Sequence, residues 1–173
     1  MAAVEIRPNV YWIGVSDRTT DLFEGIWPIT QEGVTYNAYL INDDAKAIVD
    51  LAKAFKTDEF LQQIDQVSDV ATLDYVVINH MEPDHSGILH TLRRIAPGVT
   101  ILCSQKTQAM LDAFYGINDG IRVVQDGETI SLGEHTLQFV YTPFVHWPET
   151  MVTYEASQQI LFADRMVRRV SEI

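Results

Sequence analysis

The sequence predicts a layered α/β protein with mixed sheets, and three observations predict it. Short apolar runs separated by turn residues fill the first fifty positions. Strand-like and helix-like segments then alternate as far as residue 116. From residue 121 to 162 only strand-like segments remain, joined by tight turns. Hairpins, then strand–helix alternation, then more hairpins belong to a fold with both antiparallel and parallel pairing.

The elements follow in order. Residues 10–15 and 36–41 are apolar and β-branched or aromatic, as strands are, and Asn42-Asp43-Asp44 turns the chain into a strand at 47–50. That strand ends in a carboxylate, Asp50. Thr57-Asp58-Glu59-Phe60-Leu61 opens a helix with acidic residues at its start. Residues 74–78 form the next strand, and 87–95 read as a helix stopped by Pro97-Gly98. Thr100–Cys103 is strand again, and 105–114 is helical before Tyr115-Gly116. Strands at 121–124, 129–132, 136–141, 151–155 and 159–162 complete the chain, with turns at Asp126-Gly127 and Gly133-Glu134. No repeat, low-complexity segment or linker interrupts it. Residues 1–173 therefore read as one domain, large enough to bury a core.

Composition excludes several classes of partner. The net charge of −12 argues against nucleic acid and anionic membrane, both of which need basic patches. Cys103 is the only cysteine, which rules out an internal disulfide framework and any site built from several thiolates. The single thiol fits a reducing cytoplasm. No apolar run approaches membrane-spanning length, and the N-terminus lacks a signal core. A cytoplasmic protein is expected.

His80-Met81-Glu82-Pro83-Asp84-His85 places four potential metal ligands in six positions, directly after the apolar run Tyr75-Val76-Val77-Ile78. His80, Glu82 and Asp84 alternate, so an extended loop would point them one way, and Ser86 could cap a helix behind His85. Imidazole mixed with carboxylate suits zinc, manganese or non-haem iron. The cluster is too crowded for one ion, so it reads as half of a two-metal site. His146 lies between Pro143 and Pro148 in a loop joining two strands, and a rigid loop can deliver a distant ligand to the first cluster. Around these, Trp147 could line the site, Met81 could shield it from water, and Asp50 could hydrogen-bond to a ligating histidine. His90 is off the face of His85, His135 reads as a solvated turn residue, and Cys103 as a small core residue.

Asn79-His80-Met81-Glu82-Pro83-Asp84-His85-Ser86-Gly87 resembles the iron-binding signature of the flavodiiron proteins, which reduce and so detoxify O2 or NO. His146-Trp147-Pro148-Glu149-Thr150-Met151 resembles their second metal motif, and Gly33-Val34-Thr35-Tyr36-Asn37-Ala38-Tyr39-Leu40-Ile41 their early strand region. The resemblance implies a metallo-β-lactamase-like αβ/βα sandwich with mixed sheets. It implies two non-haem Fe ions, with His80, Glu82 and His146 on one and Asp84 and His85 on the second. Asp164 would bridge them. Hydrolases of the same fold carry His at the position of Glu82, so Glu82 favours iron redox chemistry over zinc hydrolysis. Electrons would come from FMN in a flavodoxin-like domain, or from a flavodoxin- or rubredoxin-type donor, and a homodimer is an expected assembly.

The sequence also departs from the family. No His follows His146, whereas the family supplies one more to the second iron, and no glycine-rich loop for FMN is present. Asp164 comes one residue early and is followed by Arg165-Met166-Val167-Arg168-Arg169 in place of Ala-Phe-Gly. Residues 163–173 are thus expected to be an atypical tail, translated out of frame after a deletion, with the second half of the sandwich incomplete. The alternative is a short member with a divergent end. Three other functional readings stand beside O2 or NO reduction: an oxygen-sensing di-iron domain without turnover, an inactive fragment, and a zinc hydrolase.

Overall fold

In the computed structural model, which describes residues 2–23 and 25–163, fifteen strands and four α-helices alternate much as the hydrophobic pattern implies. The chain opens with β1 (Val4–Arg7), β2 (Val10–Trp12), β3 (Val15–Asp17), the short pair β4 (Leu22–Phe23) and β5 (Trp27–Pro28), then β6 (Val34–Tyr36), β7 (Tyr39–Asn42) and β8 (Lys46–Val49). Helix α1 (Thr57–Ile64) leads to β9 (Tyr75–Ile78). Helices α2 (Pro83–Ser86) and α3 (Leu89–Ile95) lead to β10 (Thr100–Cys103), and α4 (Gln105–Tyr115) leads to β11 (Ile121–Val123). Strands β12 (Thr129–Ser131), β13 (Thr136–Tyr141), β14 (Met151–Glu155) and β15 (Ile160–Phe162) follow without a helix.

Seven strands form one mixed sheet in the order β1-β2-β7-β8-β9-β10-β11, antiparallel from β1 to β8 and parallel from β8 to β11. Strands β12 to β15 form a second, antiparallel sheet. Alternation along each strand divides its side chains between two cores. In β9, Val76 and Ile78 join Phe60, Ile64, Leu89, Leu92 and Leu111 in a core between sheet and helices. Val77 instead meets Leu137, Phe139, Met151 and Phe162 between the two sheets. The layers are therefore helix, sheet, sheet. Among the described residues no helix covers the outer face of the second sheet, where Leu161 and Val140 are exposed.

Local sequence explains the helix ends. Ser104 caps α4 by accepting from Thr107 N–H at 3.2 Å, and Gly116 closes it with φ of 64° in the left-handed region, where glycine carries no Cβ penalty. Helix α1 carries Asp58 and Glu59 in its first turn, where the helix dipole favours negative charge.

Two expectations need correction. Residues 10–15 and 36–41 are not continuous strands: each breaks, and the outer pieces β3 and β6 pair with each other in a separate ribbon. At Gly14 a side chain would collide with Tyr36 O and the Trp12 ring, so the backbones approach closely where the pair leaves the large sheet. The helix expected at 87–95 is preceded by a separate turn of helix starting at Pro83, because proline at the first helical position has its φ preset. Ser86 therefore ends α2 instead of capping the next helix. Its hydroxyl lies 3.0 Å from Met81 O and 2.8 Å from Tyr115 Oη.

Candidate metal centre

The parallel strand β9 delivers the residue after its end, Asn79, to a point where the two sheets meet. Asn79, fully buried, fixes that point. Its N–H donates to Asp50 Oδ1 at 2.8 Å and its Nδ2 to Asp50 Oδ2 at 3.1 Å, at the end of β8. From the second sheet, Thr153 Oγ1 donates to Asn79 Oδ1 at 2.8 Å and Met151 N–H to Asn79 O at 3.1 Å. His80 comes next, buried at this junction.

The imidazole of His80 is held at both nitrogens. Nδ1 lies 2.9 Å from Glu149 Oε1, and Nε2 lies 3.0 Å from Glu82 Oε2. His146, delivered by the loop between β13 and β14, places its Nε2 3.5 Å from the same Glu82 oxygen. One donor atom from each of His80, Glu82 and His146 falls within 4.8 Å of the others, the spread of a single coordination site. The His80 and His146 rings stand edge to face at 4.8 Å, and Trp147 packs edge-on to His80 at 5.1 Å. The His146 side chain remains 45% exposed, so this side of the cluster opens to solvent.

Asp84 and His85 are buried on α2 and sit 3.3 Å apart, with the His85 ring 5.7 Å from His80 and 6.4 Å from Tyr36. They adjoin the first three donors without joining their group. The alternation that would point Asp84 the same way as His80 and Glu82 ends where the backbone turns helical at Pro83. Met81 is fully buried in the helix-side core, and Asp50 spends the bonds described above on Asn79, one residue before a candidate ligand. Asp164 and the arginine-rich tail lie outside the described residues. His135 is not solvated: it is 2% exposed, with Nδ1 and its own N–H each 2.8 Å from Asp43 Oδ2. The β12–β13 turn folds onto the β7–β8 turn and covers it. His90 is exposed beside Tyr115, and Cys103 is buried, its thiol pushed up to about 12 by burial.

Glu149 is the residue that sequence reasoning passed over. It is 1% exposed, and its Oε1 also accepts from Met81 N–H at 3.1 Å, while Ser104 Oγ donates to its carbonyl at 2.9 Å. Burial works to raise its carboxyl, but the hydrogen bonds from His80 and Met81 outweigh it and hold the group below the ordinary carboxylate value. Its place three residues after His146 was the available signal. Nothing in that spacing says that it turns toward His80.

The donor set fits a first-row transition metal. Two imidazole nitrogens and a carboxylate oxygen converge, and a carboxylate behind His80 orients the ring as metal-ligating histidines usually require.

Comparison with known proteins identifies the family. Residues 34–171 match the ODP family beta lactamase model. A nitric oxide reductase of Moorella thermoacetica is 36% identical over 159 residues, covering 91% of this chain and 40% of that protein. An anaerobic nitric oxide reductase flavorubredoxin of Aeromonas hydrophila is 33% identical over 167 residues, covering 94% and 33% respectively. Among solved structures, the rubredoxin oxygen:oxidoreductase of Desulfovibrio gigas superposes with a TM-score of 0.87 at 34% identity, over 92% of this chain and 40% of that one. The chain thus spans two fifths or less of the length of these relatives. With a match that extends over most of its length, the chain belongs to the flavodiiron protein family, of which it carries the ODP-type beta-lactamase domain.

Proposed function

We propose that this chain is the non-haem di-iron domain of a flavodiiron-type oxidoreductase that reduces O2 to water or NO to N2O with electrons from an external donor. The observation that carries the reading is the convergence of His80 and Glu82, from the loop between β9 and α2, with His146, from the β13–β14 loop. In this reading His80, Glu82 and His146 would hold one iron, Asp84 and His85 would hold the second, and Asp164 would be shared between them. When bound, the iron pair would bind the gas and pass on to it the electrons that the external donor provides. Carboxylates favour the ferric state and imidazoles retain the ferrous one, so the mixed set suits cycling between them.

The chain's own residues do the rest. Glu149 keeps a proton on His80 Nδ1 and so presents Nε2 to the cluster. Trp147 closes one side of His80, while the exposed edge at His146 leaves an approach for a diatomic molecule. Glu82 in place of a third imidazole separates the site from that of a zinc hydrolase. The names of the relatives, nitric oxide reductase, flavorubredoxin and rubredoxin oxygen:oxidoreductase, support NO or O2 as substrate and a rubredoxin-type donor; a flavodoxin-type donor and FMN are proposed with them. Among the described residues no helix is long and apolar enough to cross a membrane. We place the protein in the cytoplasm and expect a homodimer.

The test is iron and zinc content per chain after anaerobic purification and ferrous reconstitution, followed by O2 and NO consumption with a chemical reductant. Two irons and consumption of either gas are expected. A chain that takes zinc in preference to iron, or that holds iron and consumes neither gas, would overturn the proposal.

A further inference from the structure

We infer that Glu149 is a positioning residue for His80, fixing through one buried carboxylate oxygen which imidazole nitrogen faces Glu82 and His146. The inference rests on reading His80 as a metal ligand, but its geometry stands independently. Glu149 Oε1 meets two donors at once, His80 Nδ1 at 2.9 Å and Met81 N–H at 3.1 Å. A carboxylate only accepts, so Nδ1 carries a proton wherever this contact is made; Nε2, 3.0 Å from Glu82 Oε2 among the candidate donors, is the nitrogen that can exchange its proton for a metal. Gripping the ring and the following backbone N–H together also sets the ring plane relative to the chain at 80–81.

The backbone that carries the carboxylate is itself held from a third element. Ser104, at the start of α4, donates to Glu149 O at 2.9 Å. Both Glu149 and His80 are buried, so water does not compete for the contact. Glu149 comes from the second sheet's loop and His80 from the large sheet, so the contact also depends on the two layers being docked. A partner of this kind typically changes metal affinity by about 10- to 100-fold when removed.

The experiment uses the full chain with Zn(II) as probe, measured by chelator competition, together with NMR of the His80 ring nitrogens and urea unfolding of the metal-free protein. E149A is expected to weaken Zn(II) binding by about 10- to 100-fold and to lose the hydrogen-bonded Nδ1 proton of His80. E149Q keeps an acceptor oxygen and should recover most of both. S104A, which removes a helix cap and the contact to the Glu149 carbonyl, should lose stability without a comparable loss of affinity. Affinity that merely tracks stability across all three variants would mean that Glu149 only packs, and would overturn the inference. So would wild-type affinity in E149A. Should E149A fail to fold, the wild-type spectrum decides: a His80 ring protonated at Nε2 alone contradicts the geometry. Absence of Zn(II) binding by the wild type would instead count against the metal reading, while the Nδ1 signature still tests the role of Glu149.

Discussion

Replacing Asn79 with alanine should be among the most costly single changes in this protein, because Asn79 joins three strands at the mouth of the site. Its side chain gives a hydrogen bond to the buried Asp50 carboxylate at 3.1 Å and receives one from Thr153 Oγ1 at 2.8 Å. A hydrogen bond to a charged group contributes about 1.5–3 kcal/mol, and a buried hydroxyl stripped of its acceptor costs about 1–3 kcal/mol. The contact to Phe162 O, at 3.4 Å, adds little. The main-chain bonds to Asp50 and Met151 survive the substitution. The expected loss is about 3–5 kcal/mol, against a total of about 5–15 kcal/mol for a domain of this kind. Urea unfolding should show it as a midpoint lowered by about 2 M at an unchanged slope. A second substitution sharpens the argument. T153V alone should cost about 1 kcal/mol, yet in the N79A background it removes the stranded hydroxyl and should be neutral or stabilising. An N79A loss below about 1 kcal/mol, or additive costs in the double variant, would refute the account of Asn79 as a polar junction.

Two further outcomes follow from the same geometry. Zn(II) at about a hundred times its Kd should stabilise the wild type by about 2.7 kcal/mol, or about 5–11 °C in melting temperature. H146A should leave the metal-free melting temperature nearly unchanged, since the side chain is 45% exposed, but abolish most of the metal-dependent shift; an undiminished shift would remove His146 from the site. At the other end of the sheets, burial tends to raise the Asp43 carboxyl, but hydrogen bonds from His135 and the Asp44 N–H hold it below its ordinary 3.8. A value depressed in the folded state contributes stability that is complete above 3.8 and is lost as pH falls through the folded value. Wild type should therefore lose more stability than D43N on acidification from about pH 5 to about pH 2, and equal losses would contradict the pairing.

Periodicity revealed the layers, and residue chemistry revealed the first cluster. The β9 run reads as a strand buried on both faces because both faces are covered, by helices through Val76 and Ile78 and by the second sheet through Val77. His80, Glu82 and His146 were legible because imidazoles and carboxylates are dense where strands end. What stayed hidden depends on contacts between segments distant in sequence. The break at residues 13 and 14 arises from the approach of Tyr36 to Gly14, and the burial of His135 from Asp43, 92 positions away. Glu149 turns inward because two donors in the loop after β9 await it, 68 and 69 positions earlier. A local pattern carries no trace of such partners.

The polar contacts between the two sheets fall at their two ends, and this arrangement bears on what a mutation can do to the site. An apolar interface such as that between Val77, Leu102, Phe139 and Phe162 is non-directional, so it permits small slips of one sheet over the other. Direction is supplied at the C-terminal ends of β8 and β9 by Asn79–Thr153, His80–Glu149 and Met151 N–H to Asn79 O. At the opposite end it is supplied by Asp43–His135 and by Ala45 N–H to Leu132 O at 2.8 Å. The candidate ligands themselves come from both layers, so a slip at their own end moves His146 relative to His80. N79A should therefore weaken Zn(II) binding beyond what its folded fraction explains. D43N, which loosens only the far end, should leave the affinity of the folded protein unchanged at neutral pH. If D43N weakened Zn(II) binding as much as N79A, the two ends would be rigidly coupled through the apolar core, and placement of the site could not be assigned to the polar contacts beside it.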